Sequence, residues 1–283
     1  MVGEGGATVL PGCDIFRLSS VAGRARPSLM DDDVILQREI PEDQRAQAMA
    51  RLPAMQPVRP GAWLQVDEAY APQLALKARL LATRPGDVLA VLPGAEAAAD
   101  ELLDVVLAEV AEIAGFEVGA QAVARPDGVT VALDRSAPLV TLSRLVQEDL
   151  CILHKQGSEH VLTAALLCFP AAWTLAEKIG RPLGRIHTPV PRYDADVAAR
   201  VQRMFDMVGG GRVLWRANLL RYDDPALFQP HTEAAPRAVG HEGSPYERSE
   251  RQTILRLPQT GAVIFSIHTK MIRRRDATVP DAR

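Results

Sequence analysis

At 283 residues with 47% hydrophobic side chains, the chain is long enough to bury one sizeable core, or one core with a smaller appended unit. A formal net charge of −3 creates no whole-molecule field for a polyanion and argues against nucleic acid as a partner. Three scattered cysteines, Cys13, Cys151 and Cys168, are too few for a disulfide framework, a zinc site of Cys-x-x-Cys pairs or a four-cysteine iron–sulfur cluster.

The first ten residues lack a basic region followed by a sustained apolar run. No later segment approaches the roughly 20 apolar residues of a membrane helix. The expectation is a cytoplasmic protein with no membrane partner. From Met1 to about Pro60, the prolines and glycines and the run Asp31-Asp32-Asp33 break every periodicity, which predicts an extended N-terminal arm over 1–60.

Helical spacing begins at Asp67 to Leu81, where Leu74, Lys77, Ala78 and Leu81 recur at three- and four-residue steps before the Pro85-Gly86-Asp87 turn. Ala95 to Val110 places Leu103, Val106 and Val110 on one face, with Asp100, Asp104 and Glu109 directed away. Val129–Leu133, Leu150–Leu153 and Val161–Phe169 are short apolar runs bounded by turn residues and read as strands. A helix is predicted from Val197 to Val208, closed by Gly209-Gly210-Gly211, with a strand from Val213 to Leu219 after it. Thr253–Leu257 and Ala262–Thr269 flank Pro258-Gln259-Thr260-Gly261, the signature of an antiparallel hairpin. Arg273-Arg274-Arg275, answered by Asp276 and Asp281, reads as a solvated polar tail over 273–283.

Hairpin-linked strands with helices before and between them indicate an α+β fold around an antiparallel sheet. A doubly wound parallel fold lacks its Gly-x-Gly-x-x-Gly, and the glycine run lacks the Lys-Ser/Thr of a phosphate loop. Neither a Gly-x-Ser-x-Gly elbow nor His-Glu-x-x-His is present, which removes the usual hydrolase readings.

Few residues remain for chemistry. His187 lies in Ile186-His187-Thr188-Pro189-Val190-Pro191, where two fixed-φ prolines stiffen the chain just after the imidazole, as suits a metal ligand. A hydrogen-bonded or surface histidine in a proline loop is the alternative. In Glu250-Arg251-Gln252-Thr253 strand alternation puts Glu250 and Gln252 on one face and Arg251 and Thr253 on the other. Glu250 could hold a cationic amine and Arg251 a haem propionate or bound oxygen; cross-strand ion pairing is the alternative for both. His268 is either a semi-buried filler or a pocket residue. Trp173 and Trp215 are candidates to line a flat cofactor, or plain core.

An ordered series of short motifs adds to this: Leu80-Leu81, Pro93-Gly94-Ala95, Glu101-Leu102-Leu103, Val146-Gln147-Glu148-Asp149-Leu150, Cys168-Phe169-Pro170, Trp173, Glu177-Lys178-Ile179-Gly180, the His187 loop, Glu250-Arg251-Gln252-Thr253 and Arg256-Leu257-Pro258. In this order they resemble the haem-dependent oxidative N-demethylase family, from about Trp63 to Thr269. The resemblance implies a PAS-like α+β domain over 61–272 that encloses haem b, with His187 as the axial iron ligand, Glu250 and Arg251 in the catalytic pocket, and Arg251 and His268 near the cofactor. It further implies a monooxygenase that acts with dioxygen on a small methylated amine and releases formaldehyde. Electrons would come from NAD(P)H through a separate flavin and iron–sulfur reductase. His268 stands where the family tends to carry Arg, and the chain ends soon after Ile272 where the family tends to continue. A non-catalytic haem-binding or ligand-sensing module on the same scaffold is therefore the second expectation, and a scaffold subunit without cofactor the third.

Overall fold

The computed structural model describes residues 34–50, 54–187, 195–209 and 211–275. Cys13, most of the predicted arm, the two prolines after His187, Gly210 and the tail from Asp276 lie outside the described residues.

The frame is a seven-stranded sheet whose strand pairs are all antiparallel. Its strands are β1 (Gln56–Pro57), β2 (Leu89–Val91), β6 (Asp149–Gln156), β7 (Glu159–Leu166), β8 (Leu214–Tyr222), β9 (Tyr246–Arg256) and β10 (Val263–Arg273), in the order β1-β8-β9-β10-β6-β7-β2. A separate three-stranded sheet joins β3 (Glu117–Val118), β4 (Ala122–Ala124) and β5 (Thr130–Ala132). The mixed α+β class and the antiparallel sheet agree with the expectation.

Both faces of the large sheet are covered, so its central strands are apolar on both sides where they cross the core. Along β6, Leu150 and Ile152 enter one hydrophobic cluster while Cys151 and Leu153 enter the other. The first cluster lies beneath α2 (Tyr70–Thr83), α4 (Glu96–Val110) and α5 (Pro138–Ser143). Helix α4 fills it with Leu102, Leu103, Val106 and Val110, all without solvent exposure. The second lies beneath α6 (Leu175–Lys178), α7 (Leu183–His187) and α8 (Ala195–Met207), and joins Leu175, Leu183 and Phe205 to Ile254, Val263 and Ile267 of the sheet. Two further helices are α1 (Glu42–Ala48) and α3 (Pro85–Val88).

Three expectations meet a different outcome. Within the predicted arm, α1 docks on the sheet: its Gln44 side chain donates to Ser249 Oγ at 2.7 Å and Arg45 pairs with Glu247 at 2.9 Å. These are polar contacts, which an apolar periodicity does not register. The helix expected from Asp67 starts at Tyr70, because the Asp67 carboxylate turns back to accept the Ala69 N–H at 2.9 Å. The basic run is partly held: Arg273 closes β10 and donates to the Tyr246 hydroxyl at 3.0 Å, while the Arg274 N–H donates to Pro245 O at 2.8 Å.

The hairpin between β9 and β10 has the predicted turn but runs farther, with eleven paired positions from Val263↔Arg256 to Arg273↔Tyr246. Its tip is fixed to α4 by Glu101, whose carboxylate accepts the Gln259 N–H at 2.5 Å and the Thr260 N–H at 2.7 Å. Burial opposes ionisation of Glu101, but the hydrogen bonds from Thr260 and Gln259 outweigh it and lower its pKa. Stability from this contact is therefore present above the pKa of an unfolded glutamate and lost as pH falls through the lowered folded value. Glu101→Ala is expected to cost about 1–3 kcal/mol at neutral pH, since two turn N–H groups lose an ionised acceptor. Urea denaturation of both proteins at pH 7 and pH 3 checks this. The difference should shrink at pH 3, and a constant difference would refute the contact as described.

Candidate functional site

The four predicted site residues divide between the two faces of the sheet. Arg251 pairs with His268 across the β9–β10 ladder, so both point to one side, whereas Glu250 pairs with Thr269 and points to the other. His187 belongs to the second side. It ends α7, whose Leu183 packs with Ile254 and Ile267, and Ile267 is the ladder partner of Gln252 on the Glu250 face.

The local chain explains how His187 reaches this place. After α6, Gly180 takes φ +72°, a left-handed turn that suits glycine. The following residues run along the part of β7 that the short β2 does not reach: the Gly180 N–H donates to Leu162 O at 2.8 Å and the Leu162 N–H to Arg181 O at 3.1 Å. Helix α7 starts one residue past Pro182 and is thereby seated on the sheet. Within it, His187 Nδ1 lies 2.9 Å from Leu183 O. A carbonyl oxygen only accepts, so Nδ1 carries the proton and the lone pair resides on Nε2. Burial lowers the pKa of the ring, and the nearby cations of Lys178 and Arg216 lower it further, which outweighs the opposing hydrogen bond. The imidazole is neutral at pH 7 and has the tautomer of a metal-ligating histidine.

On the same side of β8 and β9 lies a polar group around Glu250. Its carboxylate accepts from Asn218 Nδ2 at 2.9 Å, Gln252 Nε2 at 3.1 Å and Arg248 at 3.3 Å. Arg248, only 1% exposed, is turned inward by donation to Leu227 O and Phe169 O. Arg216 donates to Gln252 Oε1 at 3.0 Å, while its buried Nε meets no hydrogen-bond partner among the described residues. Half-buried Trp173, Ile186, Leu214 and Phe265 supply apolar surface next to this group. Among the described residues, no three His, Cys, Asp or Glu side chains converge as a metal-binding cluster.

Behind the sheet, Arg251 and His268 are engaged in a different network. The Arg251 guanidinium donates to Trp63 O at 2.8 Å and Ala62 O at 2.9 Å, and it lies 5.2 Å from the centre of the Trp215 ring. His268 is fully buried between two carboxylates, with Nδ1 3.1 Å from Glu148 and Nε2 3.1 Å from Asp67. Lys270 adds a second cation, 2.6 Å from Asp67. Burial alone would lower the pKa of His268, but the two carboxylates outweigh it and raise the value. For Asp67 and Glu148 burial opposes ionisation, yet the contacts with His268 hold both below the usual carboxylate range. Both ring nitrogens donate to acceptors, so the ring is an imidazolium.

Arg216, Asn218, Gln252 and Lys178 were not singled out as site residues by the sequence reading. For Arg216 and Asn218 a usable signal exists, because alternation along Val213–Leu219 separates them from Trp215 and Ala217. It lacked only the knowledge that β8 lies beside β9. Residues 54–278 match the model of the family described as haem-dependent oxidative N-demethylase, alpha subunit-like.

The His268 network has a defined pH signature. Its histidine contribution is complete below the pKa of an unfolded histidine and is lost as pH rises through the raised folded value. Its carboxylate contributions are complete above unfolded carboxylate pKa values and are lost as pH falls through the lowered ones. His268→Gln is therefore expected to destabilise most between about pH 5 and 6.5, by about 3–5 kcal/mol since buried Glu148 loses its imidazolium and Asp67 keeps only Lys270. The gap should narrow in alkali. Chemical denaturation of both proteins from pH 5 to 10 tests this, and a pH-independent gap would contradict the imidazolium.

Proposed function

Since the chain belongs to the haem-dependent oxidative N-demethylase, alpha subunit-like family, we propose that it binds haem b on the α7 side of the sheet and demethylates a small methylated amine there. The fold in this reading is PAS-like and the setting cytoplasmic. The observation that carries the proposal is His187: a neutral imidazole, with its Nδ1 proton held by Leu183 O, at the end of a helix seated on the sheet. A single such ligand suits iron already held by four porphyrin nitrogens. Partly buried aromatic and aliphatic side chains nearby suit the ring, and the buried Nε of Arg216, which has no hydrogen-bond partner among the described residues, suits an anionic propionate. The chemistry of these side chains supports a porphyrin on this side of the sheet.

When bound, haem supplies activation of dioxygen, so that an N-methyl C–H bond is converted to C–OH and the resulting carbinolamine separates into formaldehyde and the demethylated amine. Two electrons and two protons, with the second oxygen atom leaving as water, balance the reaction. The electrons come from NAD(P)H through a separate flavin and iron–sulfur reductase, in keeping with an alpha subunit-like protein. The chain's own residues bind and orient. His187 would hold the iron through Nε2. Glu250, set by Asn218, Gln252 and Arg248, faces the amine and favours its cationic form. Arg216 takes the propionate role expected of Arg251, while Arg251 and His268 act from behind the sheet by fixing β9 and β10 against the Trp63 and Asp67 segment.

Purified protein supplied with haem is expected to show porphyrin absorption that His187→Ala abolishes and added imidazole restores. A colourless wild type, or a His187→Ala protein with an unchanged spectrum, would refute the ligand. Glu250→Gln is expected to keep the spectrum but to lower amine-dependent formaldehyde release about 10- to 100-fold, the worth of a charge-assisted hydrogen bond. An unchanged rate would remove Glu250 from the pocket. Absence of formaldehyde from wild-type protein with NADPH and a competent reductase would favour a haem-binding module without catalysis.

A further inference from the structure

On the reading that His187 is the iron ligand, we infer that Lys178 and Glu233 are its positioning residues, a tether that fixes the carboxy-terminal end of α7 and hence the direction of the imidazole. Helix α7 has only five residues, and its last carbonyls have no partner within so short a helix. Lys178 supplies one: its Nζ donates to Ile186 O, the carbonyl next to His187, at 3.0 Å. The same Nζ donates to Glu233 Oε1 at 2.7 Å. Glu233 in turn receives Arg185 in bidentate fashion, at 3.0 and 2.9 Å. The two residues that precede His187 are thus both tied to residue 233, far along the chain in the long connection between β8 and β9.

The tether is anchored at its other end. The Glu233 N–H donates to the Glu177 carboxylate at 3.1 and 3.3 Å, and Thr174 Oγ1 donates to Glu177 Oε2 at 2.9 Å. Glu177 and Lys178 therefore hold residue 233 from two sides, one through its backbone and one through its side chain. Lys178 is 3% exposed, and lysines are almost never so buried unless paired. Its charge is matched by Glu233 and directed at the turn that carries the imidazole. The closed circuit of α6, α7 and the 233 segment leaves His187 little freedom to swing, as the supporting groups around a metal ligand are expected to do.

The test uses full-length haem-loaded wild type, Lys178→Met and Glu233→Gln. Three quantities are read: the rate of haem transfer to an excess of a haem-scavenging apoglobin, the iron–histidine stretching band of the ferrous protein by resonance Raman, and the melting midpoint. Both variants are expected to lose haem about 10- to 100-fold faster and to shift or broaden the stretching band. If Lys178→Met does not fold, Glu233→Gln decides alone, since it keeps the shape of a half-exposed side chain and removes only its charge. Unchanged haem loss and an unchanged band would overturn the inference. So would faster haem loss that merely follows a lower melting midpoint with the band unmoved. Failure of the underlying reading looks different: wild type without haem, or His187→Ala with its spectrum intact, removes the ligand itself, whereas a wild type with the expected His187 dependence and unaffected variants removes only the tether.

Discussion

A charge withdrawn from water must meet a partner or the folded chain bears several kcal/mol of lost hydration, and the middle of the seven-stranded sheet is built under that constraint. Strand β9 has cover on both faces, yet carries Arg248, Glu250 and Arg251 in four residues, each buried. Alternation sends Arg251 to one side and the other two to the opposite side. Each is then met on its own side: Arg251 by two backbone carbonyls, Glu250 by two amides and Arg248, and Arg248 by two further carbonyls. The two polar networks exist because one strand with polar residues in succession was placed at the centre of a sheet.

The two networks differ in character. Behind the sheet, His268 and Lys270 answer Asp67, while Glu148 Oε1 takes the second nitrogen of His268 and Glu148 Oε2 meets no hydrogen-bond partner among the described residues. Such an arrangement fixes the register of β10 against the segment that leads into α2, because a slip by one residue would put His268 on the other face. In front, the groups buried without partners among the described residues include the donors Arg216 Nε and Arg248 Nε and the Thr269 hydroxyl. Buried donors left in that state are costly in a purely structural role.

How far all this could be read from the sequence depended on the kind of contact involved. Helices α2 and α4 announced themselves because their buried positions are mostly apolar and recur at helical spacing, and the β9–β10 turn did so through Pro258 to Gly261. The first half of β9 did not. Tyr246 to Gln252 contains six polar residues of seven, and a hydrophobicity pattern has no way to report that each one finds a partner inside. Helix α1 escaped for the same reason, as its buried residues are Gln44 and Gln47. At the site, alternation correctly separated Glu250 from Arg251, and the proline-rich motif drew attention to His187. The family resemblance then gathered His187, Glu250, Arg251 and His268 into one pocket, although the β9–β10 ladder divides them between two faces. Which strand faces which helix is a tertiary fact, and Arg216 and Asn218 became visible only when β8 was found beside β9.

The long connection between β8 and β9 adds a matter of timing. Synthesis delivers α6 and α7 well before residue 233, so a growing chain carries its imidazole for some fifty residues with Lys178 available to Ile186 O but Glu233 still missing from Lys178 and Arg185. The geometry of that helix is completed by a part of the chain that cannot take its place until β8 has been made, and the sheet edge has begun to form. A ribosome halted between the two would hold a sequence with every apolar residue of α7 present and Arg185 still without its carboxylate. Maturation of this face is therefore a late event in the life of the polypeptide, set by chain order rather than by the strength of any one contact.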